Sequence, residues 1–203
     1  MKKLSPHFNP PCTITPYAEA VKTAPRLAQS FEHWVTALTW DNDGEQGWGP
    51  RGALNWIHTH YPTQVEDGLF QTFIVTAKNS HKILATATIC DDDRGVGKNN
   101  NLGQDAFIGF VQVDRHCRGQ GLGNIIFDHV ENHIQNWINA HPQKRALNVK
   151  LFTANPLARR MYEKRGYAFQ GNIFIPEWNA TEAQFQKIYK GKGRQAAPKT
   201  PRP

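Results

Sequence analysis

The sequence predicts an α/β fold with strands running in both directions. Three observations predict it. An unbroken apolar run, AFIGFVQV (106–113), reads as a central strand buried on both faces. It meets a glycine-rich junction, RHCRGQGLGN (115–124), that opens into an amphipathic run, LGNIIFDHVENHIQNWI (122–138). Upstream, QTFIVTA (71–77) and KILATATI (82–89) are rich in β-branched residues, and KNSHK (78–82) between them suits a hairpin.

The elements follow in order. CTITPYAEA (12–20) reads as a short strand running into a turn. PRLAQSFEHWVTAL (25–38) places Leu27, Phe31, Trp34, Val35 and Leu38 at spacings of three and four, a helix face with Pro25 near its start. TWDNDGEQGWGPRG (39–52) is a polar, glycine-rich loop, and ALNWIHTHY (53–61) a second helix stopped by Pro62. After the hairpin comes a long polar loop, DDDRGVGKNNNLGQD (91–105), and then the central strand. The helix after the glycines carries Leu122, Ile126, Val130, Ile134 and Trp137 on one face. ALNVKLFT (146–153) is another buried strand. In NPLARRMYEKRG (155–166), Asn155 suits the N-cap, Pro156 the first helical position and Gly166 the stop. YAFQGNIFIP (167–176) is a final strand or bent pair, and TEAQFQKIYKG (181–191) a last short helix. Strands alternating with helices in this way imply the α/β class.

The 203 residues suffice for one domain with a sizeable core, and 39% hydrophobic with 11% aromatic content is a globular composition. No apolar stretch reaches the roughly 20 residues that span a bilayer, and MKKLSPHFNPPC at the start lacks the apolar run of a secretory signal. Cys12, Cys90 and Cys117 are far apart, which argues against a disulfide framework or structural zinc and for a reducing, cytoplasmic setting. The net charge of +7 belongs to the end of the chain. From Ala183 onward stand Lys187, Lys190, Lys192, Arg194, Lys199 and Arg202 with no acid, which leaves +1 for residues 1–182. The expected organisation is one domain over 1–190 and a basic, disordered tail over 191–203. A charge so confined is no recognition face, so neither nucleic acid nor membrane is expected as a partner.

A strand that ends in glycines and feeds a helix presents backbone N–H groups and the positive end of a helix dipole, an arrangement suited to phosphate. Gly119, Gly121 and Gly123 clear space for it, and Arg115 and Arg118 add charge. A Walker-type loop needs GK[ST] at the helix start, whereas Asn124 and Ile125 follow the last glycine here. A dinucleotide fingerprint needs a third glycine where Asn124 stands. The pattern [QR]xxGx[GA] is met by Arg118, Gly121 and Gly123.

That last pattern, with NPLARRMYEKRGYAFQG about 30 residues later, resembles the two signatures of the GNAT superfamily of N-acetyltransferases. The resemblance runs from about residue 12 to about residue 175. It implies a mixed central sheet of about six or seven strands flanked by helices, with two parallel central strands splayed apart. It also implies direct transfer of an acetyl group from acetyl-CoA to a primary amine, small-molecule or peptide, by a monomer or homodimer. Under it, Val111, Gln112 and Val113 pair with the pantetheine arm, and Arg118, Gly119, Gln120, Gly121, Leu122, Gly123 and Asn124 wrap the pyrophosphate. Asn155, Arg159 and Arg160 reach the cofactor, the N–H of Val113 meets the oxyanion, and Tyr162 is the general acid. The loop between the first two helices lines the acceptor site, with Trp40, Asp41, Asp43, Glu45 and Trp48 as candidates.

Two departures qualify the resemblance. The central strand has no carboxylate to deprotonate the amine, which leaves a water relay to Asp91, Asp92, Asp93 or Asp105. Cys117 stands where an aromatic residue is common; it reads as a thiol of lowered pKa or, in the blander view, as a small half-buried residue, and no cysteine nucleophile is expected. His129 and His133 are spaced as HVENH with no third ligand, so no metal is expected. A coenzyme A-binding module without turnover, and a nucleic-acid-associated protein acting through the tail, are the rival readings.

Overall fold

A computed structural model describes residues 11–37, 58, 68–91, 105–144, 146–175 and 180–191. Seven strands form one mixed sheet: β1 (Cys12–Pro16), β2 (Gln71–Ala77), β3 (Ile83–Asp91), β4 (Asp105–Val113), β5 (Ala146–Thr153), β6 (Ala168–Ile175) and β7 (Ala180–Lys190). Their spatial order is β1-β2-β3-β4-β5-β7-β6, antiparallel except where β4 meets β5. The described helices are α1 (Tyr17–Thr23), α2 (Pro25–Ala37), α3 (Leu122–Ala140) and α4 (Pro156–Lys164).

The β2–β3 hairpin forms as its sequence predicts. Asn79 takes the left-handed conformation at φ 58° that its short polar side chain tolerates, and Ala77 N–H donates to Lys82 O at 3.1 Å to close the turn. β4 occupies the centre, and its residues from Ala106 to Phe110 are buried.

Two apolar layers cover the sheet. Ile108, Val149, Leu151 and Phe185 pack on one face under Leu122, Ile126, Val130 and Ile134 of α3 and Tyr162 of α4. Ile74, Ile83 and Phe110 pack on the other under Tyr17 and Ala20 of α1 and Leu27, Phe31 and Val35 of α2. Strand alternation would put Ile108 and Phe110 on the same face. They part because the β3–β4 register slips by one, setting Phe110 and Val111 opposite Ala87, with Phe110 at φ 49°. A bulky residue in that region costs about 1–2 kcal/mol, which the buried ring offsets.

Two local expectations are corrected. Tyr17–Thr23, read as a turn, is helical and buries Tyr17 and Ala20. Residues 181–191, read as a short helix, form β7 inserted between β5 and β6. Its Ala, Glu, Gln and Lys favour helix by only tenths of a kcal/mol each. A period of two prevails instead: Ala183, Phe185 and Tyr189 face the helical layer, and pairing on both edges satisfies the backbone. No described helix is long and apolar enough to cross a membrane. Residues 192–203, the core of the expected tail, lie outside the described residues, as do Leu38 and the loop at 39–52.

Candidate active site

β4 and β5 pair only at Asp105–Asn148, Ala106–Val149 and Phe107–Lys150. Beyond Phe107, β4 runs on to Val113 beside β3 alone, so its edge facing β5 carries no strand partner. The expected splay is therefore present, and Val111, Gln112 and Val113 lie along it, half-buried.

The glycine loop begins where this open edge ends. Asp114 N–H donates to Leu84 O at 2.8 Å, and Asp114 Oδ1 accepts from His116 N–H at 2.9 Å, starting a single 3-10 turn at Arg115–Cys117. Trp34 of α2 reaches Asp114 Oδ2 at 3.4 Å, and Arg118 Nε reaches Val113 O at 3.3 Å. Gly119 at φ 77° and Gly121 at φ 83° both occupy the left-handed region, which accounts for glycine at each. Gly121 caps α3 without a side-chain bond. Gly123 has another role: a methyl there would come within ordinary contact, 3.6 Å, of Met161 Sδ, so a missing side chain is not forced by packing and instead leaves the helix start open. The first N–H groups of a helix have no intrahelical acceptor, and behind these lie 19 residues of aligned peptide dipoles. Gln120, Leu122 and Asn124 complete the loop, and Gln120 Nε2 donates to His116 O at 3.3 Å.

Tyr162 sits 4% exposed on α4 among Phe127, Phe185 and Tyr167, with ring centroids at 5.2, 5.8 and 6.2 Å. Its hydroxyl has no hydrogen-bond partner among the described residues. Burial, and then the negative charge of Glu182, push its pKa far above that of an ordinary phenol, so it carries its proton at neutral pH. Glu182, on β7 and 4% exposed, is the one buried carboxylate among the described residues. Its place in a misread segment hid it from sequence reasoning.

Asn155 caps α4 as expected, its Oδ1 accepting from Leu157 N–H at 2.8 Å and Ala158 N–H at 3.4 Å. Its amide nitrogen is the part left for a ligand. Arg159 lies with its guanidinium 5.2 Å over the Phe169 ring, and Arg160 is exposed. Cys117 is 8% exposed, and burial followed by the Asp114 carboxylate raise its pKa, which keeps it a thiol. His129 and His133 turn inward rather than to solvent. Both meet the Phe73 ring edge-on, at 4.7 and 5.1 Å, and His133 Nε2 bonds Gly68 O at 2.9 Å. Burial lowers the pKa of each, and no metal-binding cluster occurs among the described residues.

Asp91 ends β3 and Asp105 begins β4, at the paired end of the β4–β5 junction. At about 3.4 Å per residue, the backbone of Asp105 stands about 27 Å along β4 from that of Val113. Asp92 and Asp93 lie outside the described residues, as do Trp40, Asp41, Asp43, Glu45 and Trp48.

A charged network unseen in the sequence joins the two helices of this face. Arg165, just past α4, donates through Nη1 to Glu131 Oε2 at 2.7 Å, and its Nη2 forms an ion pair with Asp128 Oδ1 at 2.8 Å. Glu131 Oε1 also accepts from Lys187 Nζ at 2.7 Å and Tyr189 OH at 2.9 Å. Burial alone would raise the Glu131 pKa, but these bonds outweigh it and the net shift is downward.

A family model described as acetyltransferase (GNAT) family matches residues 32–167. No curated protein matches the chain. Among solved structures, a chain of the NatC complex bound to Gag peptide and CoA is 15% identical, with a TM-score of 0.58 over 89% of this chain and 98% of that one. The ribosomal-protein-S18-alanine N-acetyltransferase of Escherichia coli is 15% identical, with a TM-score of 0.54 over 92% and 99%. A putative acetyltransferase from Salmonella typhimurium, solved with acetyl-CoA, is 14% identical, with a TM-score of 0.51 over 94% and 99%. At such identities these structures bear on the fold alone.

Proposed function

We infer an activity from the premise that this chain belongs to the acetyltransferase (GNAT) family and is an acyltransferase. The reading is an acetyl-CoA-dependent N-acetyltransferase acting on a primary amine by direct attack. The observation that carries it is the union of two features: β4 loses its β5 partner after Phe107, and its open edge runs straight into a loop bent by two left-handed glycines at a helix start. An extended, amide-bearing arm that ends in a pyrophosphate suits that pair of surfaces.

Acetyl-CoA, when bound, supplies an activated acetyl thioester. Val111, Gln112 and Val113 would offer backbone pairing to its arm, and Arg118 to Asn124 would wrap its phosphates, the Asn124 N–H itself being bonded to Gly121 O. Asn155 and Arg159 flank the entry of α4. The Val113 N–H donates to the acyl oxygen as charge builds there. Tyr162, protonated at neutral pH, would supply the proton to the departing sulfur. Trp40, Asp41, Asp43, Glu45 and Trp48 face a small or peptide amine in this reading. The domain occupies 1–190 with a basic tail at 191–203, works as a monomer or homodimer, and resides in the cytoplasm, where its three free cysteines stay reduced.

The test is a thiol-release assay over an amine panel, paired with CoA titration. Tyr162→Phe should lower kcat by about 100-fold or more while CoA affinity stays within about twofold. An unchanged kcat removes Tyr162 from the mechanism. CoA binding without thiol release from any amine favours the module without turnover.

A further inference from the structure

Arg165 lies one residue before Gly166 and outside every role assigned above. Its backbone is pinned twice: its N–H donates to Tyr162 O at 3.0 Å, and its carbonyl accepts from Lys187 Nζ at 2.8 Å. The side chain leaves α4 and lies along α3. Nη2 donates to Asn124 O at 3.0 Å and Asn124 Oδ1 at 3.2 Å and forms an ion pair with Asp128 Oδ1 at 2.8 Å; Nη1 donates to Glu131 Oε2 at 2.7 Å. The guanidinium also stands 5.4 Å over the ring of Phe127, which itself packs on Tyr162. Asn124, Asp128 and Glu131 are spaced four and three apart, so they form one stripe up the side of α3.

The placement matters more than the number of bonds. Asn124 belongs to the first turn of α3, three residues after the left-handed Gly121, and its N–H bonds back to Gly121 O at 2.9 Å. Arg165 therefore grips the glycine loop at its helical end and, three residues from Tyr162, the helix that bears the phenol. The side chain is 13% exposed, so water screens these bonds weakly. Only a planar fork can reach acceptors on successive turns at once; a lysine ammonium is a single point and cannot.

We propose that Arg165 is a positioning residue: by bracing the first turn of α3 against α4, it holds the phosphate-binding N–H groups in register and so sets the affinity for coenzyme A. The proposal rests on the coenzyme reading above. A loop whose donors must be ordered on binding binds more weakly than one already ordered.

Calorimetric titration with CoA tests it on three variants. Arg165→Lys should weaken CoA binding about tenfold, measured well below its own melting temperature. Asp128→Asn removes one exposed negative charge and should fold normally, weakening CoA by about two- to threefold at low salt. Tyr189→Phe cuts the same network at its β7 end; it should lower the melting temperature and leave CoA affinity unchanged. If Arg165→Lys and Asp128→Asn lose thermal stability but keep wild-type affinity, Arg165 is a structural tie and the proposal fails. If Tyr189→Phe weakens CoA as much as Arg165→Lys, general loosening explains both and the proposal fails again. Wild-type protein that does not bind CoA overturns the coenzyme reading itself, which is a separate result.

Discussion

On one face of the sheet, Phe127, Tyr162, Tyr167 and Phe185 interlock and a charged network ties α3 to α4 and β7. On the other, α1 and α2 rest on a smaller cluster around Tyr17, Phe31 and Val35. Besides the Trp34 bond to Asp114, the described residues form a polar triad at the rim, where the Tyr17 hydroxyl bonds Glu32 and lies 3.3 Å from His58 Nε2. Beside it opens a groove of about 410 Å³ lined by Val21, Pro25, Ala28 and Gln29. Among the described residues, the first face adds a buried charged network to its aromatic packing; the second combines the packed rings of Tyr17, Phe31 and Trp34 with polar contacts at its rim.

The largest expected effect tests that contrast in the two cores. Phe127→Ala should cost about 3–5 kcal/mol in urea unfolding, because the surrounding rings and the Arg165 clamp cannot collapse into the space. Phe31→Ala should fall at or below the lower end of that range, since α1 and α2 can settle. Equal losses would mean the two faces are equally rigid.

A smaller effect should come from acid. His129 and His133 are held neutral on the α3 face, with folded pKa values lowered by burial. Unfolded histidine takes up its proton near pH 6.5. The stability due to their neutral state is thus complete above about pH 6.5 and is lost as pH falls toward the folded values. The urea midpoint should decline between pH 7 and pH 5, and His133→Gln should flatten the decline. A slope that persists in that variant would place the acid sensitivity elsewhere.

The smallest effect should be Glu32→Gln. Its carboxylate is 35% exposed, and glutamine retains an acceptor for the Tyr17 hydroxyl, so the change should stay within about 0.5 kcal/mol. A loss above about 2 kcal/mol would show that the rim triad carries its face as the charged network carries the other.

What could be read in advance follows the range of the forces involved. The β2–β3 hairpin, the α3 stripe and the Asn155 cap are local patterns, each complete within a few turns of chain, and each appears where its residues announce it. Gly119 and Gly121 were read as clearing space for phosphate, and the structure adds that both take the left-handed conformation. β7 did not, because its strand character comes from neighbours on both edges and its composition leans toward helix. Lys187 reinforces the disguise: it lies on the inner face of that strand, bonded to Glu131, where an apolar residue would have shown the alternation. The site divides in the same way. The loop and Tyr162 belong to contiguous signatures, whereas the Arg165 partners on α3 lie about 35–40 residues away and no spacing in the sequence reveals them.

The place of β7 also constrains how the chain comes to completion. β6 has β7 as its sheet neighbour, and β5 has β7 along its outer edge. A chain emerging from the ribosome therefore carries two raw strand edges, β5 and β6, until the segment around residue 190 is free of the exit tunnel. The gap between them cannot close early by local pairing, since the strand that fills it comes last of the seven. Chains stalled before that point hold an open slot shaped for a strand, which is a template for association with other nascent copies. A segment that resembles a dispensable terminal helix is thus the one that seals the sheet.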